Sequence, residues 1–387
     1  MEKKLKYKST ILFIFLNMLV VGFTESMKGV FVPQFKQTFN VTDSSIGFMF
    51  SIAILGYIIA TYLGGILCSK LGQKKVLVMS LALITISYFF TSISKNFIML
   101  LVFIFTSNIG AGLQAISINS ISPILFIVYE AILINLTHFF YGFGVTISQS
   151  FSGMMVSRGF TFKQIYFWNA ILFFIYFLFS FLIKFPEVKT EKRSFSILNV
   201  FKNKLVIFFI LAQGLYVFSE IGFLNWFVNF AQYSYNFSVN RASYYSSLFF
   251  FIFTIGRLTG GFVVHKLGVK KSMMCYLSMA LLFMWSGYLL NSKFIILISI
   301  SGFFFSIVFP TTITIIGKVF DEDTSYTMGV ILSFVSGVNM ILNSIMGILS
   351  KNLSPYIAFV LIPISLTISF VFYIVIFKQI NKEGRSL

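Results

Sequence analysis

Twelve apolar segments, each roughly 20 residues long, follow one another along almost the whole of this sequence. A helix of that length crosses the hydrocarbon core of a bilayer. Charged residues make up only 10% of the 387 residues, against about a quarter in a soluble domain. The sequence therefore predicts an all-α membrane protein with twelve transmembrane helices and no room for a soluble catalytic domain, so we do not expect an enzyme. We place the spans at about 10–31, 45–67, 75–94, 97–120, 131–155, 164–184, 205–231, 242–264, 272–290, 293–318, 325–349 and 353–377.

The basic residues are unevenly distributed between alternate loops. With the N-terminus in the cytoplasm, 20 of the 29 lysines and arginines fall on the cytoplasmic side. The excess of positive charge, +18 over the whole chain, is then concentrated towards an anionic inner leaflet, and we expect no nucleic-acid partner. We predict a monomeric, multi-pass protein of a bacterial inner membrane with both termini in the cytoplasm.

The longest polar stretch runs from Lys184 to Lys204 and divides the chain near its midpoint. Six predicted spans lie on each side of it. We therefore predict an N-terminal half at 1–184, a cytoplasmic linker at 185–204 and a C-terminal half at 205–387.

The two halves repeat each other. The segment from Gly65 to Lys75 recurs as Gly261 to Lys271, at an offset of 196 residues. Upstream, Glu25 in the first span corresponds to Glu220 in the seventh, at an offset of 195. Two separate elements at nearly one offset indicate a parallel internal repeat of six spans.

The repeated segment resembles the loop signature of the major facilitator superfamily, Gly-x-x-x-Asp-Arg/Lys-x-Gly-x-Arg/Lys-Arg/Lys. The matching positions, which we predict to be gate or structural residues, are Gly65, Lys70, Gly72, Lys74 and Lys75, then Gly261, Lys266, Gly268, Lys270 and Lys271. The first glycine would allow close helix packing, the second a tight turn, and the lysines would anchor the inner interface. The family's Asp, which helps to latch the cytoplasmic gate, is replaced by Ser69 and His265. The resemblance implies the major facilitator fold, two six-helix pseudo-repeats.

Three shorter motifs resemble the fucose permease-like branch of that superfamily, the fucose–galactose–proton symporters. They are the fifth-span stretch from Asn135 through His138 to Gly144, the seventh-span stretch from Tyr216 through Glu220 to Trp226, and Phe309 to Thr311 in the tenth span. The Gly-Pro pair expected after Gly144 is replaced by Ser148 and Gln149. This resemblance implies sugar transport without naming the sugar.

Glu25 and Glu220 are the acidic residues that lie deep within the predicted spans. An ionised carboxylate there costs at least about 2.5 kcal/mol unless it is paired or faces water. A proton-coupled carrier needs a carboxyl group of this kind, so we predict that one of the two carries the proton. A structural carboxylate bonded to a neighbouring helix is the alternative for each. For Glu25, an ion pair with Lys28, three residues along the same face, is a specific competing account.

Polar side chains within the spans are the candidates for binding a small-molecule substrate. We expect them to face the bundle, because exposure to lipid would be costly. Each has an alternative role as a helix-packing hydrogen bond, and Trp226 has one as an interfacial anchor. The candidates are Asn119, Asn135, His138, Gln149, Gln213, Tyr216, Glu220, Asn225, Trp226, Asn339 and Asn343.

Arg257 lies inside the eighth span, one turn before Gly261. We expect it to extend to the cytoplasmic interface or to pair with an acid in the loop 321–323, and so to stabilise a gate. The sequence has no phosphate-binding loop and no Cys/His metal cluster, so we predict no cofactor and no metal.

These features together predict a secondary active transporter that couples the uptake of a monosaccharide or similar polar small molecule to protons by alternating access. The main alternative is a proton-coupled exporter of a drug, lipid or metabolite, since its intramembrane acids would have the same pattern. A membrane sensor that kept the fold is a third.

Overall fold

The computed structural model describes residues 8–125, 130–185, 200–320 and 324–382, which form helices joined by short turns without any β-strand. Helices are the expected solution in a bilayer, because they satisfy backbone N–H and C=O groups internally. Among these residues, eleven segments are long and apolar enough to cross a membrane. The 28-residue helix Glu130–Ser157 occupies the place of the remaining predicted span. The predicted all-α architecture of twelve spans is confirmed.

The chain divides into two compact units, residues 1–192 and 193–387. Most of the predicted linker, 186–199, lies outside the described residues. The helices of the first unit are α1 (Lys8–Ser26), α2 (Val32–Phe39), α3 (Asp43–Leu71), α4 (Gln73–Ser92), α5 (Phe97–Leu125), α6 (Glu130–Ser157) and α7 (Phe162–Leu182). Those of the second unit are α8 (Lys204–Tyr235), α9 (Val239–Leu267), α10 (Val269–Leu289), α11 (Ile296–Phe305), α12 (Val308–Val319), α13 (Thr324–Asn352), α14 (Pro355–Phe359) and α15 (Leu361–Lys382).

Helices break at three places: within the tenth and twelfth predicted spans, and at the end of the first, where the 3-10 turn Met27–Gly29 separates α1 from α2. A proline follows each interruption: Pro33 near the start of α2, Pro310 near the start of α12 and Pro363 near the start of α15. Proline has no N–H for the carbonyl four residues earlier, and its ring clashes with that carbonyl. The breaks therefore lie about one turn before each proline.

Glycines bring α1 and α6 into direct backbone contact. A Cβ atom on Gly22 would overlap the carbonyl oxygen of Tyr141, and one on Gly144 would overlap that of Leu19. At both positions there is space only for the hydrogen atom of a glycine. It is the close approach that small residues permit between helices in a membrane.

The glycines of the repeated motif behave differently from one another. Gly72 and Gly268 have φ of +85° and +82° and form the turns into α4 and α10, a conformation that other residues rarely adopt. Gly65 and Gly261, by contrast, have no neighbouring atom within 4 Å of the point that a Cβ would occupy, so they do not provide the close packing that we expected from them. Gly260 takes that role in α9, where a Cβ would overlap the side chain of Ile307.

The lysines of both motifs are exposed except for half-buried Lys74, whose Nζ donates to the carbonyl of Phe181 (2.9 Å).

Candidate functional site

A carboxyl group, a phenol and a backbone carbonyl meet in the second unit. Tyr216 and Glu220 are one turn apart on α8, and the Tyr216 hydroxyl lies 2.9 Å from Glu220 Oε2. The same hydroxyl lies 2.7 Å from the carbonyl oxygen of Phe305, the last residue of α11. The Glu220 side chain is 14% exposed, and Tyr216 is fully buried. The carboxyl group is thus bonded within α8, through a tyrosine that also joins α8 to α11, and its side chain remains partly exposed.

Arg257 of α9 approaches the same carboxyl group. Its Nη2 is 3.9 Å from Glu220 Oε1, and its guanidinium carbon lies 4.3 Å from the centre of the Phe253 ring. Arg257 therefore lies beside an acid of α8, a partner that the sequence did not predict. The loop 321–323, its other expected partner, lies outside the described residues.

The broken tenth span positions these groups. α11 ends at Phe305, and α9 lies against the break, because a Cβ on Gly256 would contact Ser306 at 2.5 Å. Gly256 precedes Arg257, so this close packing fixes where the guanidinium emerges from α9. The Phe305 carbonyl, at the end of α11, is the group to which the Tyr216 hydroxyl donates.

A second polar chain extends from Gln213, two turns before Glu220. The Tyr373 hydroxyl of α15 donates to Gln213 Oε1 (2.5 Å) and lies 2.7 Å from Thr312 Oγ1 of α12. Gln213 Nε2 is buried and has no hydrogen-bond partner among the described residues. Three helices of the unit are joined by this chain.

Asn225, Trp226, Asn339 and Asn343 form a separate buried network between α8 and α13. Asn343 Oδ1 accepts from Trp226 Nε1 (3.1 Å) and from Asn225 Nδ2 (3.3 Å). Asn343 Nδ2 donates in turn to Asn339 Oδ1 (2.8 Å). Trp226 is only 1% exposed, which rules out the alternative of an interfacial anchor facing lipid. The geometry matches the helix-packing role that the sequence left open for these residues.

Replacing Asn343 with leucine should destabilise the protein by about 1 to 3 kcal/mol, because it removes one acceptor from two buried donors. Thermal unfolding in detergent measures the effect. Ser333→Ala on the same helix is the control, since Ser333 is exposed and its hydroxyl donates to a carbonyl of its own helix. A substrate contact without a structural role would instead leave the unfolding temperature at that of the control.

Glu25 in the first unit is paired much more tightly than Glu220. Lys28 Nζ lies 2.5 Å from Glu25 Oε2, and the Tyr88 hydroxyl of α4 donates to Glu25 Oε1 (3.2 Å). Lys28 sits in a short 3-10 turn, Met27–Gly29, between α1 and α2. The ion pair expected from the i, i+3 spacing is present.

The remaining candidates belong to the first unit, and the side chains of two of them lie outside the described residues. Gln149 is buried, and its Nε2 donates to the Ser26 carbonyl (2.6 Å), which joins α6 to the end of α1. Asn119 is exposed near the end of α5. The side chains of Asn135 and His138 lie outside the described residues.

Two buried amides that we did not predict face each other in the first unit. Gln114 Nε2 of α5 donates to Asn17 Oδ1 of α1 (2.8 Å), while Asn17 Nδ2 and Gln114 Oε1 have no partner in the part of the chain that the structure describes. Both are amides within apolar spans, the signal that identified Asn339 and Asn343. Tyr88 and Tyr373 were also missed, because tyrosine is common throughout this sequence.

Comparison with known proteins places the chain in a family. The sequence model of the Major Facilitator Superfamily matches residues 14–239 and 209–386. A TsgA homologue from Buchnera aphidicola is 21% identical over 333 residues, covering 83% of this chain and 85% of the relative. The hexuronate transporter of Bacillus subtilis is 22% identical over 353 residues, covering 84% and 83%.

Solved structures share the fold. The nucleoside transporter NupG superposes with a TM-score of 0.79 at 19% identity, covering 97% of this chain and 99% of that one. The fucose–proton symporter of E. coli superposes with a TM-score of 0.67 at 20% identity, covering 96% and 99%. The predicted family resemblance is confirmed. The chain is a multi-pass membrane transporter, not an enzyme, and it belongs to the Major Facilitator Superfamily.

Proposed function

We propose that this transporter couples the uptake of a monosaccharide or a similar polar small molecule to the movement of protons, by alternating access between its two halves. The main support for this proposal is the environment of Glu220, which is an acid within a span, only partly exposed, and bonded to a tyrosine. The names of its relatives agree with the substrate class, since they include transporters of hexuronate and fucose.

The hydrogen bonds around Tyr216 support a proton on Glu220. A phenol carries one hydrogen, yet the Tyr216 hydroxyl has two oxygen neighbours, at 2.7 Å and 2.9 Å. The Phe305 carbonyl can only accept. If the tyrosine donates there, a second hydrogen bond requires the hydrogen of a protonated carboxyl group. Deprotonation of Glu220 would then oblige Tyr216 to share its hydrogen between both acceptors.

Glu25 is less suited to carrying the proton. Its 2.5 Å contact with Lys28 stabilises the charged carboxylate. The cation beside Glu220 is more distant, at 3.9 Å. We therefore assign the exchangeable proton to Glu220 and leave Glu25 as the partner of Lys28.

We assign substrate binding to the side chains near Glu220, together with those of the fifth span. Gln213, Tyr216 and Glu220 share one face of α8, and Asn135, His138 and Gln149 remain the proposed contacts from α6, with Asn119 on α5. Asn225, Trp226, Asn339 and Asn343 are reassigned to helix packing because they bond one another.

The proposed topology follows the positive charge. Both termini, the linker 185–204 and the two lysine-rich turns face the cytoplasm of a bacterium, and the transporter functions as a monomer in the inner membrane. The two halves, 1–184 and 205–387, each move as a unit during transport.

Uptake into proteoliposomes tests the proposal. Purified protein should accumulate a labelled substrate from a panel of monosaccharides, sugar acids and polyols when the outside is more acidic, and only equilibrate it without a gradient. Accumulation driven by an inward sodium gradient at equal pH would contradict proton coupling. Efflux of apolar compounds, with no uptake from the panel, would support the exporter instead.

A further inference from the structure

The guanidinium of Arg257 is incompletely paired. Its Nε is buried and has no hydrogen-bond partner among the described residues, and its contact with Glu220 is 3.9 Å long, beyond hydrogen-bonding distance. Lys28 and Glu25 in the first unit, by comparison, are 2.5 Å apart. Arg257 therefore has donor capacity that its present neighbours do not use.

The charge of Arg257 is permanent, whereas that of its neighbour is not. Arginine stays protonated in proteins, so a cation remains within the span whatever the state of Glu220. The other titratable groups of this cluster, Tyr216 and Tyr373, are phenols and are neutral near pH 7. When Glu220 takes up a proton, none of these groups balances the charge of Arg257, and a cation without a counter-charge is costly inside a membrane.

The guanidinium is also held in place. Phe253 lies one turn before Arg257 on α9, with its ring 4.3 Å from the guanidinium carbon, and Gly256 fixes α9 against the break between α11 and α12. A fixed guanidinium suits a carboxylate, which it binds through two parallel hydrogen bonds. Gln213 Nε2, in the polar chain two turns before Glu220 on α8, is also buried without a partner among the described residues, and it is a donor as well. Within the described part of the chain, Arg257 and Gln213 each have an N–H donor without a partner, and neither has an acceptor without one. They therefore favour a ligand that accepts hydrogen bonds.

We infer that the substrate carries a carboxylate, which pairs with Arg257 while Glu220 holds the proton; a sugar acid fits this chemistry. The inference rests on the proposed function and narrows its substrate class. One proton and one monoanion cross together, so transport is electroneutral. A proton with a neutral sugar would instead carry net charge. Glu220 and the substrate thus alternate as the counter-charge of Arg257.

Matched probes in proteoliposomes separate the two kinds of substrate. We would measure uptake of D-glucuronate and D-galacturonate beside D-glucose and D-galactose, first with an acidic outside and then with an inside-negative potential set by potassium and valinomycin. The expected result is accumulation of a uronate that follows the pH difference and changes less than about twofold with potential.

Proton-driven accumulation of a neutral sugar that rises with the potential would overturn the inference and leave the proposed function standing. Uronate uptake that ignores the pH difference would overturn the proposed function. Failure of all four probes to bind or move would contradict both.

Four variants distinguish whether Arg257 binds the substrate or only neutralises the charge of Glu220. Arg257→Gln should weaken uronate binding by about 10- to 100-fold, the loss expected for one charged hydrogen-bonding group. Glu220→Gln, which imitates the protonated state, should bind the uronate at least as tightly as the unchanged protein. The double variant should bind as weakly as Arg257→Gln. Arg241→Gln is the control, because Arg241 also stacks on a phenylalanine, Phe237, but is exposed at the start of α9.

Restored binding in the double variant would show that Arg257 only neutralises Glu220, and would overturn the inference. Binding is measured by isothermal calorimetry in detergent, and thermal unfolding of each variant confirms that it is folded.

Discussion

Replacing Glu220 with glutamine should abolish proton-driven accumulation while leaving substrate exchange intact. Glutamine keeps a hydrogen-bonding group beside Tyr216 but cannot release a proton. With a pH difference of one unit, coupling to one proton permits about tenfold accumulation, and the variant should reach a ratio of only about one. Exchange of internal unlabelled for external labelled substrate needs no net proton movement, so it should continue.

Glu25→Gln is the matched control in the first unit. It should retain accumulation, because the proposed proton does not reside there, although the loss of the partner of Lys28 should reduce stability. If Glu25→Gln loses accumulation and Glu220→Gln keeps it, the two roles are reversed. If both variants still accumulate substrate, neither carboxyl group couples the proton.

Replacing Gly144 with leucine should prevent folding of the first unit. Even a Cβ there overlaps the carbonyl oxygen of Leu19, so α1 and α6 would have to separate along their contact. Overpacking typically costs about 1 to 3 kcal/mol, and we expect more here because the clash is with the backbone of α1 rather than with a side chain that could move. We expect loss of the monodisperse peak in size-exclusion chromatography.

Gly337→Leu on α13 is the control, because open space surrounds its Cβ position. It should elute as the unchanged protein does and unfold within a few degrees of it. A Gly144→Leu protein as stable as this control would contradict the close contact between α1 and α6.

The membrane fold was predictable because each level of the sequence indicates it. Apolar length predicts the spans, and the repeat at an offset near 196 predicts two related halves. The interrupted spans were not predicted, although Pro33, Pro310 and Pro363 carry the signal. The segments around Pro310 and Pro363 remain apolar through the break, and hydrophobicity does not distinguish one long helix from two short ones.

The site was predictable only where its contacts are local. The spacing of Glu25 and Lys28 predicts their ion pair, since residues three apart meet on a helix. The approach of Arg257 to Glu220 depends on how α9 is rotated against α8, which no spacing in the sequence specifies. Trp226 was ambiguous for the same reason: its position along α8 is predictable, but its asparagine partners on α13 are not.

Proton movement measured with the substrate tests the central claim most directly. Proteoliposomes in weakly buffered medium, without an imposed gradient, are given a transported substrate while the external pH is recorded. Our account predicts that the medium becomes more alkaline as substrate enters, and that Glu220→Gln abolishes this change while exchange continues. Substrate entry into vesicles containing the unchanged protein, with no change in external pH, would contradict it.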